Sequence, residues 1–285
     1  MHTIAFINHK GGVGKTTLCA HIGYALAHLH GKRVLLVDFD PQSNLTLLRC
    51  TDFPALTLAE VLRDGVAVSA AIERSSLPHL LAADLSLDDD EFAPLLTEEN
   101  YTRLARLLEE VRDEYDYILI DCPPSRGVFS KNALIAATDI ALVLNPEYFS
   151  MRGVVSMVNF IERMQELNPY LRFSSVLLSH FYRAGICEEA REAIAGAFPA
   201  QYLPQPVRRA VAVVNAAASN CTVFEMKEQS DVVNDFKRLA QLFLDHYEPS
   251  AEPSEKPSST SNSDMTAPKN GKRKSEYRTK KGATT

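Results

Sequence analysis

The chain has 285 residues, 46% of them hydrophobic, and a formal net charge of −6 at pH 7. That length and composition predict a globular protein with one large core, and no apolar run approaches the roughly 18 residues of a membrane span. The charge is uneven: residues 248–285 carry +3 and the remainder −9, so an acidic body excludes general electrostatic attraction to nucleic acid and leaves any such contact to a local patch or the tail.

Residues 3–7, Thr-Ile-Ala-Phe-Ile, form a short apolar run that predicts a buried strand so early that no secretory leader is expected. The octet Lys10-Gly11-Gly12-Val13-Gly14-Lys15-Thr16-Thr17 follows. Residues 18–29 then carry Leu18, Ile22, Ala25, Leu26 and Leu29 at helical spacing. Strand, glycine loop and helix are the context that a phosphate-binding loop needs. Glycines let consecutive backbone N–H groups face inward as an anion nest, and the helix aims its positive end at the same point. Lys15 adds a charge for the β- and γ-phosphates, and the Thr16 hydroxyl is suited to Mg²⁺. The general loop pattern asks for glycine at position 9, which is His9; Lys10 and the Gly11-Gly12 pair stand beside it instead.

Residues 33–37 predict a second buried strand running into Asp38-Phe39-Asp40-Pro41-Gln42. Asp38 and Asp40 are two apart and share a face of an extended chain, at the strand end where parallel sheets place ligands. Residues 46–96 are less informative: 58–62 and 68–72 read as short helices and 79–82 as a strand. The run Asp88-Asp89-Asp90-Glu91 reads as a solvated acidic turn. Thr97, followed by Glu98 and Glu99, reads as the cap of a surface helix ending near Arg112. Residues 115–121 predict a central strand ending in Asp121, a carboxylate placed to hold the hydration shell of Mg²⁺ opposite Thr16.

Residues 140–144 predict another buried strand, leading through Asn145-Pro146-Glu147-Tyr148-Phe149 to a helix beginning near Ser150. The aromatic pair Tyr148 and Phe149 reads as core. Residues 173–178 predict a further strand with the polar exit Ser179-His180, and 235–247 a last amphipathic helix. Residues 248–285 are rich in Pro, Ser and Lys with almost no apolar side chains, and predict a disordered basic tail: first a solubilising segment, second a non-specific nucleic-acid arm. Lacking an apolar face, it predicts no stable membrane anchor. Five scattered cysteines without CxxC spacing fit a reducing cytoplasm.

Taken together, KGGVGKTT, the DxDPQ segment at Asp38 and YDYILIDCPPS at Asp121 resemble the ParA/MinD superfamily of dimeric ATPases with a deviant Walker A loop, most of all the ParA/Soj-type partition ATPases. The resemblance covers roughly residues 1–247. It implies a P-loop NTPase domain over 1–247, a single α/β domain with a twisted, mostly parallel sheet covered by helices on both faces, and a separate tail over 248–285. It implies ATP and Mg²⁺ as cofactors, with ATP bound by Lys10, Gly11, Gly12, Val13, Gly14, Lys15, Thr16 and Thr17. Lys10, Lys15 and Asp40 would be catalytic, Lys10 reaching the partner subunit's nucleotide and Asp40 positioning the attacking water. Thr16, Asp40 and Asp121 would serve the metal. Arg208, in a segment like the family's I-P-x-x-V-R, and Arg209 beside it would contact DNA, although Glu228 and Asp231 stand where many relatives place arginine.

The implied function is slow ATP hydrolysis, stimulated by an adaptor protein of ParB type. It would serve DNA partition or cargo positioning through an ATP-dependent homodimer that binds non-specific DNA of the nucleoid. Three rivals share the loop. A MinD-like membrane positioner should end in a basic amphipathic segment, and a metal-cluster carrier should show a CxxC pair. A small-molecule ligase or synthetase generally lacks a lysine at the Lys10 position.

Overall fold

A computed structural model describes residues 1–248 apart from 88, 98–100, 149 and 229. The expectations for the tail beyond Glu248 and for the side chains of Tyr148 and Phe149 therefore lie outside the described residues, as does the Asp88 end of the acidic run. Strands that are apolar on both faces need helices on both sides, and the chain supplies them after nearly every strand. β1 (His2–Ile7), β2 (Val34–Asp38), β3 (Ile72–Glu73), β4 (His79–Leu81), β5 (Tyr117–Asp121), β6 (Asp139–Leu144) and β7 (Arg172–Leu178) form one sheet. Its order is β3-β4-β2-β5-β1-β6-β7, parallel throughout except for the β3–β4 pair at one edge. The α/β sheet predicted from the sequence is the sheet observed.

The helices are α1 (Lys15–His30), α2 (Asn44–Arg49), α3 (Leu58–Asp64), α4 (Val68–Ala71), α5 (Asp89–Thr97), α6 (Arg103–Glu109), α7 (Val128–Ala136), α8 (Met151–Leu167), α9 (Gly185–Ala197), α10 (Val211–Ala218) and α11 (Asp231–Tyr247). The period-two alternation of the strands sorts them into two layers. Ala5, Ile7, Ile118 and Ile120 face a core completed by α3, α5, α6, α7 and α8. Ile4, Phe6, Tyr117 and Leu119 face a second core closed by α1 and α11. α1 lies so close to the sheet that a Cβ on Gly23 would sit 2.6 Å from Leu36 Cδ2, so any larger residue there has to displace that leucine.

Two helical expectations change. Thr97 ends α5 rather than capping the next helix; its hydroxyl donates to the Ala93 and Pro94 carbonyls, 2.8 and 3.1 Å away. Phe92 and Leu96 are fully buried, and their burial extends the helix past the point where the capping pattern suggested a start. The acidic run is not a turn over its described part: α5 begins at Asp89. Helices α9 and α10 occupy stretches for which no element was expected.

Register places the site. Asp38 pairs across from Asp121, and Phe6 of β1 pairs with the same Asp121. The carboxyl ends of β1, β2 and β5 are therefore level with one another, side by side in the middle of the sheet, which is where open parallel sheets bind ligands.

Candidate functional site

The glycine loop leaves β1 and turns straight into α1, which begins at Lys15 rather than at Leu18 because Gly14 is its N-cap. Gly12 and Gly14 hold φ of +68° and +89°, values in the left-handed region that side chains resist. No side chain caps α1, so its first backbone N–H groups stay open to an anion at the positive end of the helix. Asn8 braces the loop from below, donating to the Val143 carbonyl at 2.7 Å and accepting the Lys10 backbone N–H at 3.0 Å. Ser179 ties the far side, its hydroxyl donating to the Val13 carbonyl.

Lys15 is buried and curls back over the loop, its Nζ 3.4 Å from the Lys10 carbonyl. The Thr16 hydroxyl donates to Asp121 Oδ2 at 2.6 Å. Asp121 is fully buried, and its Oδ1 has no hydrogen-bond partner. Burial, and then the neighbouring Asp38 carboxylate, holds its carboxyl well above the ordinary range. An unpartnered buried carboxylate oxygen beside a threonine hydroxyl suits a hydrated Mg²⁺, which takes one or two carboxylates and completes its shell with water and phosphate. Among the described residues no group of three or more His, Cys, Asp or Glu side chains converges on a metal position.

Asp38 and Asp40, paired by the sequence, have different surroundings. Asp38 is fully buried and accepts from the Thr46 backbone N–H and hydroxyl, both at 2.8 Å, and from the Asp40 N–H at 3.3 Å. Burial raises its carboxyl to about 6 in spite of these donors. Asp38 thus pins α2 to the sheet. Asp40 is less enclosed: its Oδ1 accepts the Gln42 N–H at 3.0 Å, and it lines the cleft over the loop. The Thr46 anchor is a contact across eight residues that no local pattern announces.

Two open clefts flank the loop. One, of about 640 Å³, is lined by Gly11, Gly12, Gly14, Lys15, Thr16, Thr17 and Asp40. The other, of about 310 Å³, lies beside Gly12, Gly14 and Thr17 under Asn145, Glu147, His180, Val207 and Val213. Both volumes fall in the range of small-molecule sites, and His180 borders both. His180 takes a positive φ of 52°, and burial lowers its imidazole pKa. The first cleft has the phosphate-binding features.

The structure brings Lys10, Lys15, Thr16, Asp40 and Asp121 around one loop, and places Arg208 and Arg209 at the rim of the second cleft. The two arginines are engaged. Arg208 grips Asp235 with Nε at 2.6 Å and a terminal nitrogen at 2.9 Å, and reaches Asp231 at 3.1 Å. Asp231 and Asp235 are four apart on one face of α11, so the pairing fastens the 208 segment to that helix. Arg209, more exposed, meets Glu147 at 3.2 Å. The expected phosphate-binding patch therefore starts with its charge opposed by three carboxylates.

Comparison with known proteins agrees with this geometry. A family model described as an AAA domain matches residues 1–173. A ParA family protein of Chlamydia muridarum is 34% identical over 250 residues, 86% of this chain and 98% of that protein. The chromosome-partitioning ATPase Soj of Treponema pallidum is 31% identical over 84% of this chain and 95% of its own length. Among solved structures, that of cobyrinic acid a,c-diamide synthase from Mycobacterium smegmatis, with bound ATP analogue and magnesium, is similar at TM-score 0.75 and 30% identity. It covers 87% of this chain and 96% of that one.

Proposed function

Because the chain belongs to the ParA family, within the ParA/MinD superfamily of ATPases, we propose that it is a partition-type ATPase whose ATP-bound form dimerises and binds DNA without sequence preference. The observation that carries the catalytic part is the cleft itself, where an open helix N-terminus, Lys15, the Thr16–Asp121 pair and Asp40 converge on one side of the loop. ATP is held with its phosphates on the backbone N–H groups of residues 11–16. Lys15 swings from the Lys10 carbonyl to the β- and γ-phosphates.

Thr16, Asp40 and Asp121 would hold Mg²⁺, which neutralises developing charge on the phosphates when bound. Asp40 accepts a hydrogen bond from the attacking water and aligns it with the γ-phosphorus; ADP and inorganic phosphate result. Asp38 stays out of the chemistry and holds α2. Lys10 acts on the nucleotide of a second copy, so ATP and not ADP completes the dimer. Hydrolysis is slow until an adaptor of ParB type engages, and the protein is cytoplasmic, nucleoid-bound with ATP.

For DNA, the ion pairs of Arg208 and Arg209 favour a division of roles. Arg208 serves mainly to hold α11, and phosphate contact falls to Arg209 and the lysines and arginines of residues 249–285. No described helix is long and apolar enough to cross a membrane. The synthase likeness gives a second reading, an ATP-dependent amide-forming enzyme on the same fold. Purified protein settles the choice: the ATPase reading expects Mg-ATP hydrolysis without any acceptor that Asp40→Ala abolishes while nucleotide binding persists. Hydrolysis that requires a carboxylic acid and an amine donor would favour the synthetase.

A further inference from the structure

A six-residue helix has no independent stability, so α2, which begins four residues after Asp40, takes its position from what grips it. Its core side is Leu45 and Leu48; its amino-terminal polar anchor is the Thr46–Asp38 contact, with the Thr46 hydroxyl also accepting the Ala83 N–H at 2.9 Å. The carboxyl-terminal anchor is Arg49. Its side chain is only 5% exposed, and it donates to Glu225 Oε2 at 2.9 Å and to the Leu77 carbonyl at 3.3 Å. Its guanidinium also lies 5.7 Å from the centre of the Tyr24 ring on α1.

Glu225 is itself fixed. The same Oε2 accepts the backbone N–H and the hydroxyl of Thr222, both at 2.8 Å. The neighbouring Val223 N–H donates to His21 Nε2 at 3.0 Å, and His21 Nδ1 meets the Thr17 carbonyl at 2.7 Å. The short connector of residues 222–225, between α10 and α11, therefore holds the start of α1 through His21 and the end of α2 through Arg49. These are the two elements between which a nucleotide would sit.

We infer that Glu225, acting through Arg49 and α2, is a positioning residue for Asp40; the inference rests on the ATPase reading above. The Asp40 carbonyl accepts the Ser43 N–H at 2.8 Å, and Ser43, with φ of +54°, is the N-cap of α2. Turn 40–43 thus moves with the helix, and a slide of α2 displaces the carboxylate that aligns the water. Misplacement of about 1 Å can lower a rate by as much as ~100-fold without touching the chemistry. Whatever shifts the 222–225 connector is felt at Asp40 by this route.

The test is single-turnover ATP hydrolysis by the full chain with Mg²⁺, alongside nucleotide affinity and thermal unfolding. Glu225→Ala and Arg49→Ala should each lower the rate roughly tenfold with affinity within about twofold, measured well below the unfolding temperature. The double variant should lose no more than the worse single one, because both act through one link. Glu225→Gln keeps an acceptor for Thr222 and folds more readily, and should show a smaller loss of the same kind. Arg112→Ala, in an exposed pair with Glu109, is the control and should change nothing. Wild-type rates in Glu225→Ala and Glu225→Gln, or single losses that multiply in the double variant, overturn the inference alone. A wild type that hydrolyses no ATP overturns the ATPase reading and takes this inference with it.

Discussion

His21 offers a prediction whose size follows from the structure. It is fully buried on α1, one turn beyond the glycine loop, with both ring nitrogens used. Nε2 accepts from Val223, so Nδ1 carries the proton and donates to Thr17, and the imidazole is neutral. Its ring stacks on Phe236 at 4.2 Å. Burial lowers its pKa from 6.5 to about 4, against the opposing pull of the Thr17 carbonyl. A pKa lowered on folding means the unfolded chain takes up the proton first, so the histidine's contribution is complete above pH 6.5 and drains as pH falls towards 4.

The whole effect is about 3 kcal/mol, and about 2 kcal/mol of it lies between pH 7.5 and pH 5. Asp38 works the other way. Its carboxyl, raised from 3.8 to about 6, gives stability below 3.8 that is lost as pH rises through 6. The wild type alone would show a blurred sum. Subtracting a His21→Phe variant cancels the Asp38 part, since both proteins carry it.

His21→Phe keeps the stacking and leaves the Thr17 carbonyl its helical hydrogen bond, but strands the buried Val223 N–H, at about 1–3 kcal/mol. Urea unfolding followed by circular dichroism should show the variant about 1–3 kcal/mol less stable at pH 7.5. That gap should narrow by about 2 kcal/mol at pH 5. A gap that stays constant, or widens as pH falls, would refute the assignment of a buried neutral imidazole.

Other outcomes follow from the nucleotide site and the charges around it. Lys15→Ala should weaken ATP binding itself, while Asp40→Ala should retain binding and lose turnover, as read by fluorescent-nucleotide titration and phosphate release. Affinity of the ATP form for random-sequence DNA should fall with salt at a log–log slope of about −0.9 per phosphate neutralised. Deleting 249–285, which spares the Glu248 bonds to Lys32 and Tyr117, should flatten that slope and leave basal hydrolysis unchanged; an unchanged slope would remove the tail from the interface. Arg209→Ala should weaken the nucleotide dependence of DNA binding, whereas sedimentation with anionic liposomes on ATP would favour a membrane positioner.

The parts of this site that could be read from sequence are those that act through local spacing. Glycines at 12 and 14, a lysine and threonine opening a helix, and carboxylates closing apolar runs at 38 and 121 are short-range patterns tied to backbone geometry. The central strands were equally legible, because burial on both faces leaves continuous apolar runs. What escaped depends on contacts across space. Asp38 and Asp40 look alike in sequence, and only Thr46 folding back separates an anchor from a cleft carboxylate. Arg208 reads as a free cation until α11 brings Asp231 and Asp235 to it.

Helix α9 buries only Cys187, Ala190 and Ile194, a weak periodic signal, and α10 buries Ala216 while leaving Val211 and Val214 exposed. A helix with so little buried gives a hydrophobic pattern almost nothing to show. Thr97 failed for the opposite reason: a threonine followed by two glutamates mimics a helix start, and burial of Phe92 and Leu96 decided otherwise.

The central claim is that ATP assembles two copies of this chain around the loop bearing Lys10. Its most direct measurement is multi-angle light scattering of the Asp40→Ala protein, which should hold ATP without consuming it, run with Mg-ATP and with Mg-ADP, each beside the Asp40→Ala, Lys10→Ala double variant. Scattering should give twice the monomer mass with ATP, the monomer mass with ADP, and the monomer mass with either nucleotide once Lys10 is replaced. A monomer with saturating ATP, or a dimer indifferent to the loss of Lys10, would contradict it.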